Sequence, residues 1–154
     1  MSRRLRVAAY AVCVRDGRIL LARWVARDGI KRWTLPGGGM DHGEDPVDTV
    51  LREVAEETGY LAEVTALLGI DSMRERQPRK LSGDVDFHGL RVVYEGEITG
   101  GELRPETDGS TDLAAWHELT AVPELERVAL VDIGLALWRQ RPPAGTTRAC
   151  HGNG

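Results

Sequence analysis

Long apolar runs, an excess of basic charge and pairable cysteines are all missing from this sequence, and each absence narrows what the chain can be. No stretch of 18 apolar residues occurs, so no helical membrane span is expected. Lys and Arg number 20 against 24 Asp and Glu, a formal net charge of −4. No chain-wide basic field therefore exists to hold a nucleic acid polymer. A phosphate can then be bound only locally or through a metal. The two cysteines, Cys13 and Cys150, stand far apart. Cys13 lies in an apolar run and reads as a small buried hydrophobe, whereas Cys150 lies in a polar tail. A disulfide between them is not expected, and a reducing compartment fits. The basic start, Met1 to Arg6, leads into an apolar run that Arg15-Asp16-Gly17 soon breaks, and no signal cleavage site follows. These features point to a cytoplasmic protein.

What is present suits one compact domain over residues 1–143. Hydrophobic residues make up 42% of the chain and charged residues 29%, ordinary values for a globular fold. Residues 144–154 are small and polar and are expected to form a disordered tail. Val7 to Val14 reads as a buried strand. Asp16-Gly17 is a hairpin turn signal, with Ile19 to Ala22 as the returning strand. Trp33 to Leu35 is a short strand ended by Pro36, and Gly37-Gly38-Gly39 reads as a loop. Val64 to Ile70, Leu90 to Ile98 and Leu113 to Trp116 read as further strands. The polar stretch from Asp71 to Gly89 reads as a loop or a strongly bent hairpin. Pro123 is expected to open a late helix that runs to Pro142.

The clearest helix begins at Asp45. Asp45 suits the N-cap, Pro46 the first helical position and Asp48 the first turn, and Gly59 supplies the stop. Val47, Val50, Leu51, Val54 and Thr58 recur at helical spacing as an apolar face. Beside that face stand Glu53, Glu56 and Glu57, at i, i+3 and i+4, so the helix gathers three carboxylates on one side. Like charges at these spacings cost roughly 0.2–0.5 kcal/mol per pair when solvated, and more when buried. A divalent cation removes the conflict, and an all-oxygen donor set suits Mg²⁺ or Mn²⁺. A Glu-rich helix face is by itself more often a solvated surface. Arg52 next to the acids, the distant Glu44 and the glycine run are what a merely solvated helix does not need.

This segment resembles the Nudix family. Gly38, Glu44, Arg52, Glu53, Glu56, Glu57 and Gly59 occupy every fixed position of its box, G-x5-E-x7-R-E-U-x-E-E-x-G-U, where U is a bulky apolar residue. Val54 fills the first U, and Tyr60 fills the last, where an aliphatic residue is more usual. With a chance frequency of ~0.1 at each fixed position, such a match arises on the order of once in ten million starts. The resemblance implies an α/β (α+β) fold, an α/β/α sandwich with a mixed β-sheet, in which the box forms a loop, helix and loop around a metal. It implies hydrolysis of a nucleoside diphosphate linked to another moiety. Carried over, Glu53, Glu56, Glu57 and the Gly37 carbonyl would ligate Mg²⁺ (Mn²⁺ being the alternative). Arg52 would pair with a box carboxylate such as Glu44, and Glu53 is the first choice of general base. Glu106, Asp108, Asp112, Asp84 and Asp86 are the later acids that could take that role instead.

Outside the box the sequence is less explicit. Arg74, Arg76, Arg79 and Lys80 could grip phosphates, although a solvated loop is the more ordinary reading. Trp24, Trp33 and Phe87 could stack a nucleobase, although aromatic residues near strands are more often core. His42 is expected to face solvent, and His88 and His117 lack metal-ligand spacing. Trp116 is expected between the sheet and the last helix. The expected partner is a small nucleotide-like substrate, with neither a nucleic acid polymer nor a membrane, and a homodimer stays open. The short chain leans toward a nucleoside triphosphate pyrophosphatase of the mutation-avoidance type, with ADP-ribose or a nucleotide sugar as the alternative. A non-catalytic nucleotide-sensing domain is the competing class, and retention of every box carboxylate argues against it.

Overall fold

The computed structural model describes residues 1–106 and 109–147. Among these the order is β1 (Ser2–Val12), β2 (Val14–Arg15), β3 (Arg18–Val25), β4 (Lys31–Thr34), β5 (Gly37–Gly39), α1 (Pro46–Thr58), β6 (Tyr60–Gln77), β7 (Val85–Gly101), β8 (Thr111–Glu118) and α2 (Ala129–Gln140). A 3₁₀ turn over Leu119–Glu124 precedes α2. One sheet is mixed, in the order β5-β1-β7-β6, with β1 parallel to β7 and antiparallel to β5. In the second sheet β3 pairs antiparallel with β2, β4 and β8. No helix among the described residues is long and apolar enough to cross a membrane.

The two-residue period of the strands splits the core into two layers. Ala9 and Ala11 of β1 point one way, with Leu20 and Tyr94, and meet Val50 and Val54 of α1. Val12 points the other way, with Ile19, Leu21 and Val93, and meets Leu130, Val131, Leu135 and Leu137 at α2. The helices therefore cover opposite faces, the α/β/α sandwich with a mixed sheet that the resemblance implies.

Helix α1 starts and stops where its sequence signals lie. Asp45 is the extended N-cap, its N–H donates to the Asp48 carboxylate at 3.4 Å, and Pro46 follows. Gly59, at φ 81°, closes the helix through its N–H to the Ala55 carbonyl. Val50 and Val54 are fully buried, each contributing about 1.5–3 kcal/mol of apolar burial. Val47 is an exception to the expected face: it is exposed, and Thr49 takes the inner position. The Asp16-Gly17 turn is also where expected, with φ of 54° and 75° at its two central residues, the mirror-image turn that suits a tight hairpin.

Some expectations are corrected. Gly37–Gly39 is not a loop: it is an edge strand whose residues pair with Tyr10, Ala9 and Ala8. Its glycines permit the close approach, because a Cβ on Gly37 would run into the Ala9 carbonyl. Of the two readings for the polar stretch from Asp71, the hairpin and not the loop is found, since β6 and β7 continue as one long hairpin to Gln77 and Val85. Cross-strand ion pairs replace the apolar pattern there, with Arg91 on Asp71 at 2.9 Å, Arg74 on Asp86 at 2.8 Å and Arg76 on Asp84 at 2.6 Å. Pro123 lies inside the 3₁₀ turn, and α2 begins only at Ala129. In the segment from residue 144, the Gly145 carbonyl accepts the Ile70 N–H at 2.9 Å. Residues 148–154, with Cys150, lie outside the described residues. Cys13 is a free, fully buried thiol whose pKa burial pushes up to about 12.

Candidate functional site

Edge strand β5 and helix α1 face each other, and the box side chains fill the space between them. A Cβ on Gly38 would stand 2.8 Å from the Glu53 carboxyl carbon, so glycine is what lets Glu53 lie against the strand. The Gly37 N–H donates to Glu57 Oε2 at 3.1 Å. Glu57 is only 5% exposed. The Glu53 side chain is 16% exposed and that of Glu56 49%. The helix thus carries its three carboxylates from a buried position to the rim.

Arg52 is the hub of the site. Its Nε and NH2 donate to the two oxygens of Glu44, each at 2.9 Å, and its NH1 donates to Glu53 at 3.0 Å and Glu56 at 3.3 Å. Its NH2 also reaches the Gly39 carbonyl at 3.3 Å. Glu44 in turn accepts from the Asp41 N–H at 2.8 Å and the Thr49 hydroxyl at 3.1 Å. Loop, edge strand and helix are tied together through one guanidinium. The Arg52 fork, helped by the Asp41 N–H, holds the Glu44 carboxyl at a pKa of about 2.

Glu53 and Glu57 are perturbed in the opposite direction. Burial pushes the Glu57 carboxyl well above the usual carboxylate range, and the charges of Glu53 and Glu106 add to that, while the Gly37 N–H works against it. Burial also raises Glu53, with Arg52 opposing and Glu56 and Glu106 reinforcing the rise. A buried Glu57 and a half-buried Glu53 side by side, with Arg52 reaching only Glu53 of the two, lack positive charge. Every donor is a hard oxygen, so Glu53, Glu56 and Glu57 fit a small divalent cation. As they stand, no three His, Cys, Asp or Glu side chains among the described residues close around a common point. Glu56 is turned to Arg52, and Glu57 to the Gly37 N–H.

Glu106 is brought to this cluster from the strand-connecting segment before β8, where its Oε2 accepts the Thr111 hydroxyl at 2.5 Å. Its charge bears on both Glu53 and Glu57. The other later acids are engaged elsewhere. Asp112 accepts from Arg23 Nε and NH2 at 3.0 Å and pairs with Lys31 at 3.0 Å, which holds its carboxyl at about 2. Asp84 and Asp86 pair with Arg76 and Arg74 near the tip of the long hairpin. Asp108 lies outside the described residues.

The aromatic candidates divide. Trp33 packs against the α2-side core and edge-on to His117, with ring centroids 4.3 Å apart. Trp116 belongs to the α1-side cluster, where its Nε1 donates to the Tyr60 hydroxyl at 3.0 Å, rather than to the α2 side. Phe87 is half-buried against Gly89. A cavity of about 320 Å³ is bordered by Arg15, Glu95, Trp116 and Trp138, and no box carboxylate lines it. The box carboxylates gather at the β5 edge and not in that cavity. Sequence reasoning missed Arg6 and Tyr10, which the pairing of β1 with β5 brings beside the glycine strand. Only the basic start of the chain hinted at Arg6.

Comparison with known proteins gives consistent results. A family model described as the NUDIX domain matches residues 2–138. The ADP-ribose pyrophosphatase of Methanocaldococcus jannaschii is 32% identical over 119 residues, covering 77% of this chain and 65% of its own length. The RNA pyrophosphohydrolase of Xanthomonas campestris pv. campestris strain B100 is 50% identical over 128 residues, covering 78% of this chain and 61% of its own. The chain thus spans 61–65% of the length of these two relatives. Among solved structures, a NUDIX hydrolase from Nitrosomonas europaea superposes with a TM-score of 0.70 at 23% identity, over 88% of this chain and 89% of that one. A MutT NUDIX hydrolase from Burkholderia pseudomallei does so with 0.68 at 29% identity, over 87% and 98%.

Proposed function

The chain belongs to the Nudix family, and from that membership we propose that it is a hydrolase which, with Mg²⁺ or Mn²⁺, cleaves the diphosphate bond of a nucleoside diphosphate-linked substrate. The observation that carries this reading is the packing of the buried Glu57 beside the largely covered Glu53 against the glycine strand, with the charge of Glu106 bearing on both. Such an arrangement costs stability and would not be kept by a helix with only a structural role. Glu53, Glu56 and Glu57 would hold the cation, and the Gly37 carbonyl completes the proposed set. When bound, the cation supplies charge neutralisation and Lewis-acid activation of the diphosphate.

The chain's own residues do the rest. Arg52 fixes Glu44 and Glu53 relative to the glycine strand, so the carboxylates are placed before substrate arrives. Glu53 is the first choice to accept the proton of the attacking water, and its burial raises its basicity toward that task. Glu106 is the second, because it alone of the described later acids bears on the cluster.

For the substrate itself, the first reading is a nucleoside triphosphate such as an oxidised guanine nucleotide. The similarity to a protein named ADP-ribose pyrophosphatase, at 32% identity over 77% of this chain, favours ADP-ribose as the second. The test is a turnover panel of nucleoside triphosphates, ADP-ribose and UDP-glucose with Mg²⁺ or Mn²⁺, products resolved by chromatography. Metal-dependent release of a nucleoside monophosphate is expected. Tight binding of a panel member without turnover would replace this reading by a nucleotide-sensing one.

A further inference from the structure

Beside the carboxylates lies a guanidinium that has no carboxylate of its own. Arg6 of β1 is exposed, and it lies across Gly39 so closely that a methyl group at that glycine would collide with its NH2 and Nε. The Gly39 carbonyl meanwhile accepts from Arg52. One glycine therefore carries two arginines in different states. Arg52 is consumed by Glu44, Glu53 and Glu56. Arg6 is in no hydrogen bond or ion pair among the described residues.

Three arginines on the neighbouring strands β6 and β7 are neutralised. The ladder pairs Ala8, two residues on, with both Gly39 and Arg91, and Arg91 is held by Asp71. Arg74 and Arg76, which the sequence offered as phosphate grips, are held by Asp86 and Asp84. A polyanion that approaches three carboxylates is repelled by them, and an unpaired cation at their edge offsets that repulsion. A guanidinium presents a planar fork that matches two phosphate oxygens at once. The backbone of Arg6 is fixed by β7, so only its side chain has to be ordered on binding.

We propose that Arg6 binds a phosphoryl group of the substrate at the β5 edge, and that position 39 is glycine so that its guanidinium can lie there. The proposal rests on the hydrolase reading of the same site and names a residue that positions its substrate. The probe is inorganic pyrophosphate with Mg²⁺, followed by calorimetry on wild type, Arg6→Ala, Arg6→Lys, Gly39→Ala and the control Arg4→Ala. Charged hydrogen bonds of this kind make a loss of about tenfold or more the expected result for Arg6→Ala. Arg6→Lys, which keeps the charge but not the fork, should recover part of the affinity, and Gly39→Ala should mimic Arg6→Ala. Steady-state kinetics on a turned-over substrate should show KM raised in Arg6→Ala with kcat within a few-fold. Unchanged pyrophosphate affinity in Arg6→Ala, or an equal loss in Arg4→Ala, overturns the assignment. Absence of turnover across the nucleotide panel would end the hydrolase reading alone, since pyrophosphate binding that fails in Arg6→Ala would still assign the phosphate contact.

Discussion

Arg52 holds Glu44 by both oxygens, Nε to Oε2 and NH2 to Oε1, each at 2.9 Å, tying the second turn of α1 to the loop eight positions before it. Two parallel charge-assisted bonds fix an angle as well as a distance. Arg52→Lys should therefore fail to replace arginine, because a single ammonium cannot span Glu44, Glu53 and Gly39 together. Turnover is expected to fall at least tenfold in Arg52→Lys and further in Arg52→Ala. Stability should drop by about 1–3 kcal/mol in Arg52→Ala, the cost of leaving half-buried carboxylates unpaired. Steady-state kinetics and urea unfolding on both variants measure the two effects.

The same pair sets an acid limb. The Glu44 carboxyl titrates at about 2 in the folded protein against an ordinary value of 4.5. Its contribution is thus fully present above pH 4.5 and is lost as pH falls from 4.5 toward 2. Glu44→Gln should flatten the dependence of the melting temperature on pH in that window. An identical acid limb in the variant would show that Glu44 is not linked to folding.

A second pH effect is expected from His117. Burial lowers its pKa below the ordinary 6.5, and its Nε2 is buried without a hydrogen-bond partner among the described residues. The unfolded chain takes up a proton near pH 6.5 that the folded one resists, so stability should decline as pH drops through 6.5. His117→Phe, which keeps an aromatic edge on Trp33, should remove that decline. Melting curves at pH 8 and pH 5.5 are the measurement.

Activity and stability should separate on α1. Glu57→Gln removes a buried charge, so with EDTA present the variant should be as stable as wild type or more so, by a few tenths of a kcal/mol per like-charge contact relieved. Its turnover should fall at least 10²-fold. Val50→Ala should do the reverse, losing roughly 1–3 kcal/mol of core packing while the folded fraction keeps much of its turnover. If Glu57→Gln unfolds the protein yet leaves turnover per folded molecule intact, the carboxylate is structural.

Glu53 and Glu106 can be told apart by the cation. Mg²⁺ or Mn²⁺ should raise the melting temperature of wild type by binding the folded state. Glu53→Gln should weaken that shift and abolish turnover. Glu106→Gln should leave the shift in place and lower kcat if it accepts the proton. A Glu106 variant with wild-type kcat would leave Glu53 alone in that role.

Local chemistry decided the parts that could be read directly. Asp45, Pro46 and Gly59 set the ends of α1 because caps and left-handed stops act within one turn. Asp16-Gly17 set the first hairpin by the same logic, since its two left-handed residues are a property of the turn alone. The 3.6-residue period placed Glu53, Glu56 and Glu57 together without knowledge of the fold. Other features depended on partners distant in sequence. Glycine has no strand preference, so Gly37–Gly39 became a strand only because Ala8–Tyr10 accepted it. Asp71 to Gln77 left loop and hairpin both open because charge pairs from β7, and not apolar alternation, hold it extended. The box named its carboxylates, but only packing could bury Glu57, carry Glu106 to it from about fifty residues away and lay Arg6 on Gly39. Burial and charge proximity are properties of the assembled chain, and they turn a sequence pattern into a candidate site.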